Sequence, residues 1–296
     1  MTTNISVVMA FYNEDWKTLE RAISSTLEAL TVRDEFILIC DNPTRKEIVS
    51  KVLLISESDP RLILKVNERN VGLVESLNTG LALASGRYIA RMDADDVCIR
   101  DRFVLQKRFL ADNDFDLVGS LAIDYVHGER RKVIQKPNGD FFRHCLSLGF
   151  NPMIHPTFFF KSEILSSLDG YRYVDGCEDK DFITRALLLG LKCGNLQKPT
   201  ILYSRSQEQI TSRKYAEVYA SGQLLRRAWL GCSGDVTLYN HLSLSPVYTR
   251  DCEIGNALKE VRSRNFFKSL RYIRFFFDFL NFMYRKNAYY KLCKKV

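Results

Sequence analysis

The amino-acid sequence predicts an α/β fold whose central sheet is mixed but mainly parallel and is flanked by helices. Two observations lead to this fold class: short apolar runs alternate with longer amphipathic segments in the first third of the chain, and polar clusters follow several of these runs. Such alternation implies parallel strands joined by right-handed helical crossovers. With 296 residues and 46% hydrophobic content, we expect one domain with a helical C-terminal appendage.

The first strands are predicted from short runs rich in β-branched residues, which are typical of buried parallel strands. These strands are 5–10, 35–40, 62–66 and 88–92. Between them, apolar residues recur at steps of three and four, which predicts helices at 16–30, 45–56 and 71–84. Gly86 is a glycine stop for the third helix.

Beyond residue 115 the pattern changes, and we expect a mixed sheet there. Further apolar runs predict strands at 116–120, 157–160 and 201–203, with irregular polar sequence between the first two. One-sided apolar spacing predicts a helix over 180–189.

The charge and the cysteine content of the chain indicate which partners and which cellular compartment to expect. The formal charge of +8, from 43 Lys and Arg against 35 Asp and Glu, favours an anionic partner such as a nucleotide, a phosphorylated lipid or a membrane surface. Eight cysteines without a CxxC pair argue against a disulfide framework or a zinc site. The first residues lack a secretory signal pattern, so we expect a cytoplasmic protein. No apolar run approaches the roughly 20 residues that cross a bilayer.

Three polar clusters follow predicted strands, at Tyr12–Glu14, Asp41–Asn42 and Asp93–Asp96. Ligands of parallel sheets bind at the carboxyl ends of the strands, where such clusters meet. We therefore expect one cleft lined by all three.

The acidic cluster is the strongest candidate for a metal site. Asp93, Asp95 and Asp96 fall within four residues after a strand that should be buried, where their mutual repulsion is costly without a cation. Mg²⁺ or Mn²⁺ prefers oxygen ligands and is commonly shared between carboxylates and substrate phosphates. On spacing alone, the alternative is a solvated acidic turn that caps the following helix.

Two segments carry a resemblance to a known family. The run from Asn70 to Asp96, NVGLVESLNTGLALASGRYIARMDADD, resembles the donor half of family 2 glycosyltransferases, which have the Rossmann-like GT-A fold. The opening run Ser6–Glu14, SVVMAFYNE, resembles it as well. The resemblance covers roughly residues 4–205 and implies a GT-A catalytic domain over 1–215, with a donor half at about 1–120 and an acceptor half at about 121–215. Residues 216–296 are then a helical C-terminal region.

The resemblance implies a nucleotide-sugar and metal site. Tyr12 is expected to stack on the base, unless it is a packed core tyrosine, and Asp41 to accept a hydrogen bond from a base such as uracil. Asp93 is expected to contact the ribose or the Mn²⁺ or Mg²⁺ ion, and Asp95 to be the direct metal ligand. The family often has a second acid where this chain has Asn42. Further residues expected at the nucleotide sugar are Ala10, Glu14, Asn70, Asn78 and Arg91.

A second acidic pair begins the predicted helix near residue 180. By resemblance, Asp179 is the base that deprotonates the acceptor hydroxyl and Glu178 supports the acceptor site; the alternative is that both only complement the helix dipole. His155 lies in a His-Pro segment common in the family and could face the diphosphate or the acceptor; the alternative is a structural histidine in a loop. After strand 201–203 the family tends to carry an Arg and a His. This chain departs from that pattern, and Arg205 or Arg213 could take their place in neutralising the departing diphosphate.

The segment from Arg264 to Val296 has eleven Phe or Tyr, nine Lys or Arg and one acid. Its apolar spacing predicts an amphipathic helix at about 264–286, with Tyr284 on the apolar face and Arg285 on the basic face. Such a helix suits an anionic membrane interface, and the alternative is packing on the protein or a partner subunit.

The resemblance therefore implies a metal-dependent, inverting transfer of a hexose, preferably galactose or glucose, from a UDP-sugar. The acceptor would be a sugar hydroxyl on a lipid-diphosphate-linked or polysaccharide chain, at the inner face of the cell membrane, with a β-linkage formed as in O-antigen or capsule assembly. No nucleic-acid partner is expected. The rivals are a sugar-1-phosphate nucleotidyltransferase, which would release pyrophosphate, and a non-enzymatic basic protein that binds membranes or nucleic acid.

Overall fold

The computed structural model describes residues 4–126, 128–205, 215–243 and 284–288. The strands are β1 (Ile5–Phe11), β2 (Glu35–Cys40), β3 (Leu62–Val66), β4 (Tyr88–Asp93), β5 (Val97–Cys98), β6 (Leu117–Val126), β7 (Glu129–Ile134), β8 (Phe159–Lys161) and β9 (Cys193–Ser204). The α-helices are α1 (Trp16–Ala29), α2 (Lys46–Ser58), α3 (Leu73–Leu83), α4 (Arg102–Asp112), α5 (Phe142–Leu148), α6 (Leu165–Leu168), α7 (Glu178–Leu188), α8 (Tyr215–Gly231) and α9 (Val236–Ser243).

The strands form one mixed sheet in the order β3-β2-β1-β4-β8-β6-β9-β5, and β7 pairs with β6. Its first four positions are parallel. Strand β8 then runs antiparallel to both β4 and β6, whereas β6 and β9 are parallel to each other. The predicted fold class is therefore confirmed. Because β1 to β4 are parallel, their carboxyl ends lie at the same edge of the sheet.

The early elements form where their sequence predicts because each buries a continuous apolar surface. Strands β1 and β2 lie inside the sheet and are almost completely buried, which explains their unbroken apolar runs. Helix α1 begins at the cap Asp15, whose carboxylate accepts a hydrogen bond from Thr18 N at 3.0 Å. Its buried face carries the apolar residues Leu19, Ala22 and Ile23.

Two compact units divide the chain by its internal contacts. The first comprises Met1–Lys136, Met153–Tyr171 and Leu191–Arg205, and it contains the sheet. The second comprises Pro137–Pro152, Arg172–Gly190 and Ser206–Val296. It has an apolar cluster of its own, which includes Val174, Cys177, Leu225, Ala228, Cys232 and Tyr239. The units interleave along the sequence, and the division into 1–215 and 216–296 stays a prediction.

Most of the predicted C-terminal amphipathic helix, and Arg213, lie outside the described residues. Residues 284–288 are helical, but Tyr284 is 73% exposed and Arg285 only 7% exposed. Arg285 Nη1 donates to Leu148 O at 3.3 Å and to Gln223 Oε1 at 3.2 Å, and Gln223 belongs to α8. The two side chains thus differ in exposure, as residues on opposite faces do, and it is the Arg285 side of this end that packs on protein. In the part of the chain that the structure describes, none of the helices has the length and apolar character to cross a bilayer.

Candidate active site

The three aspartates that follow β4 converge on a small volume. Asp93 ends the strand, Asp95 and Asp96 form the turn after it, and one carboxylate oxygen from each lies within 4.8 Å of the others. Asp93 and Asp95 are half-buried and Asp96 is fully buried. This geometry excludes a freely solvated acidic turn.

The cluster is electrostatically unfavourable by itself. Burial first, and then the charges of Asp93 and Glu14, raise the pKa of Asp95 to about 7. Burial and the neighbouring Asp95 and Asp93 raise the pKa of Asp96 well above its ordinary value. The Oδ2 atom of Asp96 is buried and has no hydrogen-bond partner among the described residues. Three oxygen donors with excess negative charge fit a hard divalent cation such as Mg²⁺ or Mn²⁺.

The end of β9 supports this turn, which the sequence analysis did not foresee. Ser204 N donates to Asp96 Oδ1 at 2.8 Å, and Ser204 Oγ donates to Asp95 O at 2.5 Å. The next residue, Arg205, donates from Nε to Asp124 Oδ1 at 2.5 Å and is half exposed. Contacts between residues so distant in sequence leave no local signal.

Arg91 is the buried cation behind the cluster. Its side chain lies on β4 and forms an ion pair through Nη2 with Asp93. Burial lowers the pKa of Arg91, but the charge of Asp93 and the hydrogen bond to it outweigh burial and raise the pKa above its ordinary value. Arg91 therefore stays protonated and offsets one of the three carboxylates. Fully buried Arg102, on α4, donates to Arg91 O at 2.7 Å and so fixes the backbone at this point.

The end of β1 lies beside the cluster. Ala10 is in parallel register with Asp93 on one side and with Ile39 on the other. Tyr12 follows the strand and is 42% exposed, which excludes a packed core tyrosine and leaves its ring available for stacking. Its backbone N donates to Glu14 Oε2 at 2.7 Å, so Glu14 shapes the turn after β1.

Asp41, at the end of β2, organises the loop between β3 and α3. Its buried carboxylate accepts hydrogen bonds from Val71 N and Gly72 N, each at 2.9 Å, and from Asn67 Nδ2 at 2.8 Å. Gly72 has a φ of +86°, a conformation that favours glycine. Asn70 Oδ1 accepts a second hydrogen bond from Gly72 N at 3.1 Å. The loop role of Asp41 was not predicted.

Asn78 and His155 meet at Tyr171. The amide of Asn78 binds Tyr171 N and O at 2.8 and 2.9 Å, so it holds the backbone of that residue. His155 Nε2 lies 3.1 Å from Tyr171 Oη. Burial first, and then the charge of Arg91, lower the pKa of His155 well below its ordinary value, so its imidazole is neutral.

Glu178 and Asp179 begin α7 in the second unit. Asp179 Oδ2 accepts a hydrogen bond from Asn151 Nδ2 at 2.5 Å, and Oδ1 accepts one from Lys180 N at 2.7 Å. Two residues after Asp179, Asp181 is fully buried and pairs with Arg185 at 2.8 Å and with Arg172. The first turn of α7 is thus built from a partly buried carboxylate at Asp179 and a neutralised one at Asp181.

Comparison with known proteins identifies the family. The model of glycosyl transferase family 2 matches residues 6–168, more than half of the chain. This chain belongs to glycosyl transferase family 2. The match spans the end of β1, the acidic cluster of β4 and His155, and it shows that the chain is a glycosyltransferase.

Individual relatives agree with this assignment. An uncharacterised glycosyltransferase of Methanocaldococcus jannaschii is 32% identical over 188 residues, which cover 62% of this chain and 64% of that protein, less than two thirds of its length. The Escherichia coli protein WfgD, a UDP-Glc:α-D-GlcNAc-diphosphoundecaprenol β-1,3-glucosyltransferase, is 33% identical over 114 residues, 38% of this chain and 44% of that one.

The fold also matches a solved structure. The crystal structure of S. aureus TarS residues 1–349 in complex with UDP-GlcNAc superposes with a TM-score of 0.63 at 16% identity, covering 81% of this chain and 70% of that one. This likeness shows the GT-A fold.

Proposed function

We propose that this family 2 enzyme transfers a hexose from a UDP-sugar to a sugar hydroxyl of a lipid-diphosphate-linked or polysaccharide acceptor, with inversion and with the help of a divalent metal. The observation that carries the proposal is the group of three aspartate oxygens within 4.8 Å at the carboxyl end of β4. The two rivals, a nucleotidyltransferase and a non-enzymatic basic protein, lose support through the family match.

Asp93 and Asp95 would hold Mn²⁺ or Mg²⁺, and Asp96 offers a third oxygen. A bound cation supplies positive charge next to the diphosphate as negative charge develops there. Arg91 holds the Asp93 carboxylate in orientation through its ion pair. The exposed ring of Tyr12 supplies a face for the base, and Asp41 orders the loop that leads into α3.

Asp179 would act as the base. Its carboxylate takes the proton of the acceptor hydroxyl while the hydroxyl oxygen forms a bond to the anomeric carbon. The bond from that carbon to the β-phosphate oxygen breaks on the opposite face, and its electron pair leaves with UDP. Displacement from the opposite face inverts the configuration, so an α-linked donor gives a β-glycoside. Neutral His155 is suited to donate or accept a hydrogen bond at the diphosphate or the acceptor and not to carry charge.

The nature of the acceptor and the location rest on a relative and on composition. WfgD acts, by its name, on a sugar diphosphate of undecaprenol with UDP-Glc as donor, which supports a lipid-linked acceptor here. The formal charge of +8 supports a location of the enzyme at the anionic inner face of the cell membrane. Assembly of a bacterial surface polysaccharide is the setting that we propose.

A donor panel tests the function directly. The purified chain is incubated with UDP-glucose, UDP-galactose and other nucleotide sugars, a lipid-diphosphate-linked sugar, and either Mn²⁺ or a chelator. We expect release of UDP that depends on the acceptor and on the metal, and a product with a β-linkage. Release of pyrophosphate would contradict glycosyl transfer, and full activity with the chelator would contradict the metal.

A further inference from the structure

The segment before β8 is joined to the first turn of α7 at two points. Asn151 Nδ2 donates to Asp179 Oδ2 at 2.5 Å. Two residues earlier, Gly149 O accepts a hydrogen bond from Lys180 Nζ at 3.1 Å. Consecutive residues of the helix thus bind one short stretch of chain, and all of these groups belong to the second unit.

Lys180 makes this junction rigid. Its side chain is 4% exposed, and its ammonium group also donates to Gly222 O of α8 at 2.9 Å. Burial is the main cause that lowers the pKa of Lys180 to about 8. A buried ammonium with two carbonyl partners fixes the distance between α7, α8 and the segment that carries Asn151.

We propose that Asn151 is a positioning residue for the reaction base Asp179, an inference that rests on the proposed function. The amide holds one carboxylate oxygen while Lys180 N holds the other, so the carboxylate plane cannot rotate freely. Two N–H donors also favour the ionised form, which is the form that accepts a proton.

The charged groups around the first turn of α7 are the same in the Asn151→Ala variant and in the unaltered chain. Asp175, Glu178 and Lys180 act electrostatically on Cys177 at the start of this turn. Arg226 of α8 and Arg285 of residues 284–288 act on Lys180. Replacing the neutral Asn151 by Ala alters none of these charges. A change in the pH profile therefore does not arise from an altered formal charge.

The experiment compares Asn151→Ala and the isosteric Asn151→Asp with the unaltered chain across pH 5 to 9. For Asn151→Ala we expect kcat to fall about tenfold or more, the acidic limb of the kcat profile to move up by about one pH unit, and the KM for the UDP-sugar to stay within about twofold. Asn151→Asp should shift the limb further, because it places a second negative charge beside Asp179. The matched control is Asn113→Ala, an exposed asparagine whose amide only donates to Phe109 O of its own helix.

The outcomes separate this inference from the base assignment. If Asp179→Asn is inactive while both Asn151 variants keep the unaltered pH profile and kcat, the positioning role is wrong and the base assignment stands. If Asp179→Asn itself keeps near-normal turnover, the base assignment falls and the role of Asn151 falls with it. A loss of activity in Asn151→Ala that comes with a lower melting temperature but an unmoved pH limb would reduce Asn151 to a structural residue.

Discussion

At the scale of single residues, the acidic cluster combines carboxylates that share a small volume but differ in surroundings. Asp93 forms an ion pair with Arg91. In contrast, burial and the neighbouring carboxylates oppose the ionisation of Asp95 and Asp96 and raise their pKa values. A site of this kind binds a cation strongly because the cation relieves a cost that the fold already carries. The same cost makes the metal-free protein less stable, which gives two predictions.

Asp95→Asn is expected to abolish activity and yet stabilise the metal-free protein at alkaline pH. The pKa of Asp95 is about 7 in the folded protein, against an ordinary value of 3.8. Below about pH 3.8 the carboxyl is protonated in both the folded and the unfolded state and costs no stability. As the pH rises from 3.8 to 7 the unfolded state ionises more readily, so the free energy of unfolding falls. At pH 8 the ionised carboxylate opposes folding, and Asn removes that charge. Thermal unfolding with a chelator should give a higher Tm for Asp95→Asn at pH 8 and a smaller gain at pH 5.

The control is Asp112→Asn, which removes an exposed carboxylate at the end of α4. It should change neither turnover nor Tm by much. Normal UDP release by Asp95→Asn with Mn²⁺ would contradict its role as metal ligand.

Metal affinity is expected to rise with pH up to about neutrality. A proton on Asp95 competes with the cation, so the apparent Kd for Mn²⁺ should fall about tenfold per pH unit below the pKa of about 7 and level off above it. Titration of Mn²⁺ by electron paramagnetic resonance between pH 5.5 and 8.5 measures this slope. Asp95→Asn should flatten it, and a flat profile in the unaltered chain would argue against an Asp95 ligand.

At the scale of elements, Asp41, Asp93 and Asp95 lie at or just after strand ends, and Asp179 lies at the start of α7. The parallel register of β1, β2 and β4 puts Ala10, Ile39 and Asp93 side by side. The loop from β3 to α3 is less regular, and a single carboxylate, Asp41, satisfies three of its donors. The hydrogen bonds of Asp41 thus connect the end of β2 to the loop that leads into α3.

Asp41→Asn is expected to lower both stability and donor affinity. The new amide NH₂ would face the N–H of Val71 or Gly72, so one buried donor is left without an acceptor, at a cost of about 1–3 kcal/mol. Urea unfolding measures the stability, and calorimetric titration with UDP measures the affinity. Unchanged stability with lost UDP binding would mean that Asp41 acts on the base alone and that the loop does not depend on it.

The sequence predicted those elements whose burial shows locally. Strands 35–40 and 62–66 were predicted with the bounds of β2 and β3, because a fully or partly buried strand needs an apolar run. Strand β7, with the sequence ERRKVI, was missed because it is an exposed edge strand, and α5 was missed because it has only seven residues. Strand β9 was predicted only at 201–203 because its first part carries polar residues and Pro199.

At the scale of the whole molecule, the first unit carries the acids at the strand ends, and the second unit carries α7 with Asp179. The convergence of Asp93 and Asp95 was predictable because their motif is local in sequence, and the role of Asp179 stays a prediction. Asn151, Ser204 and Arg102 were not, since each acts on a group many residues away and has no pattern around it. The supporting residues are therefore found only from the fold, whereas the acidic motifs are visible in the sequence.

The net charge of the chain gives a prediction about its location. Between Arg264 and Val296 the nine Lys or Arg and eleven aromatic residues are balanced by a single acid, and residues 264–283 lie outside the described part of the chain. We expect the full chain to float with vesicles that contain anionic phosphatidylglycerol and to be released by salt, since each basic residue near such a surface contributes about 1 kcal/mol. Charge reversal at Lys268, Arg271 and Arg274 should weaken flotation but leave turnover of a water-soluble acceptor unchanged.

The matched control carries the same total charge change at exposed positions of the first unit, Lys17→Glu, Lys46→Glu and Arg108→Glu. If membrane binding depends only on net charge, both triple variants lose flotation equally. If the C-terminal basic residues form the contact, only the first variant loses it. Flotation of the first variant at the level of the unaltered chain would assign this segment to packing on protein, as the buried Arg285 already does for its described end.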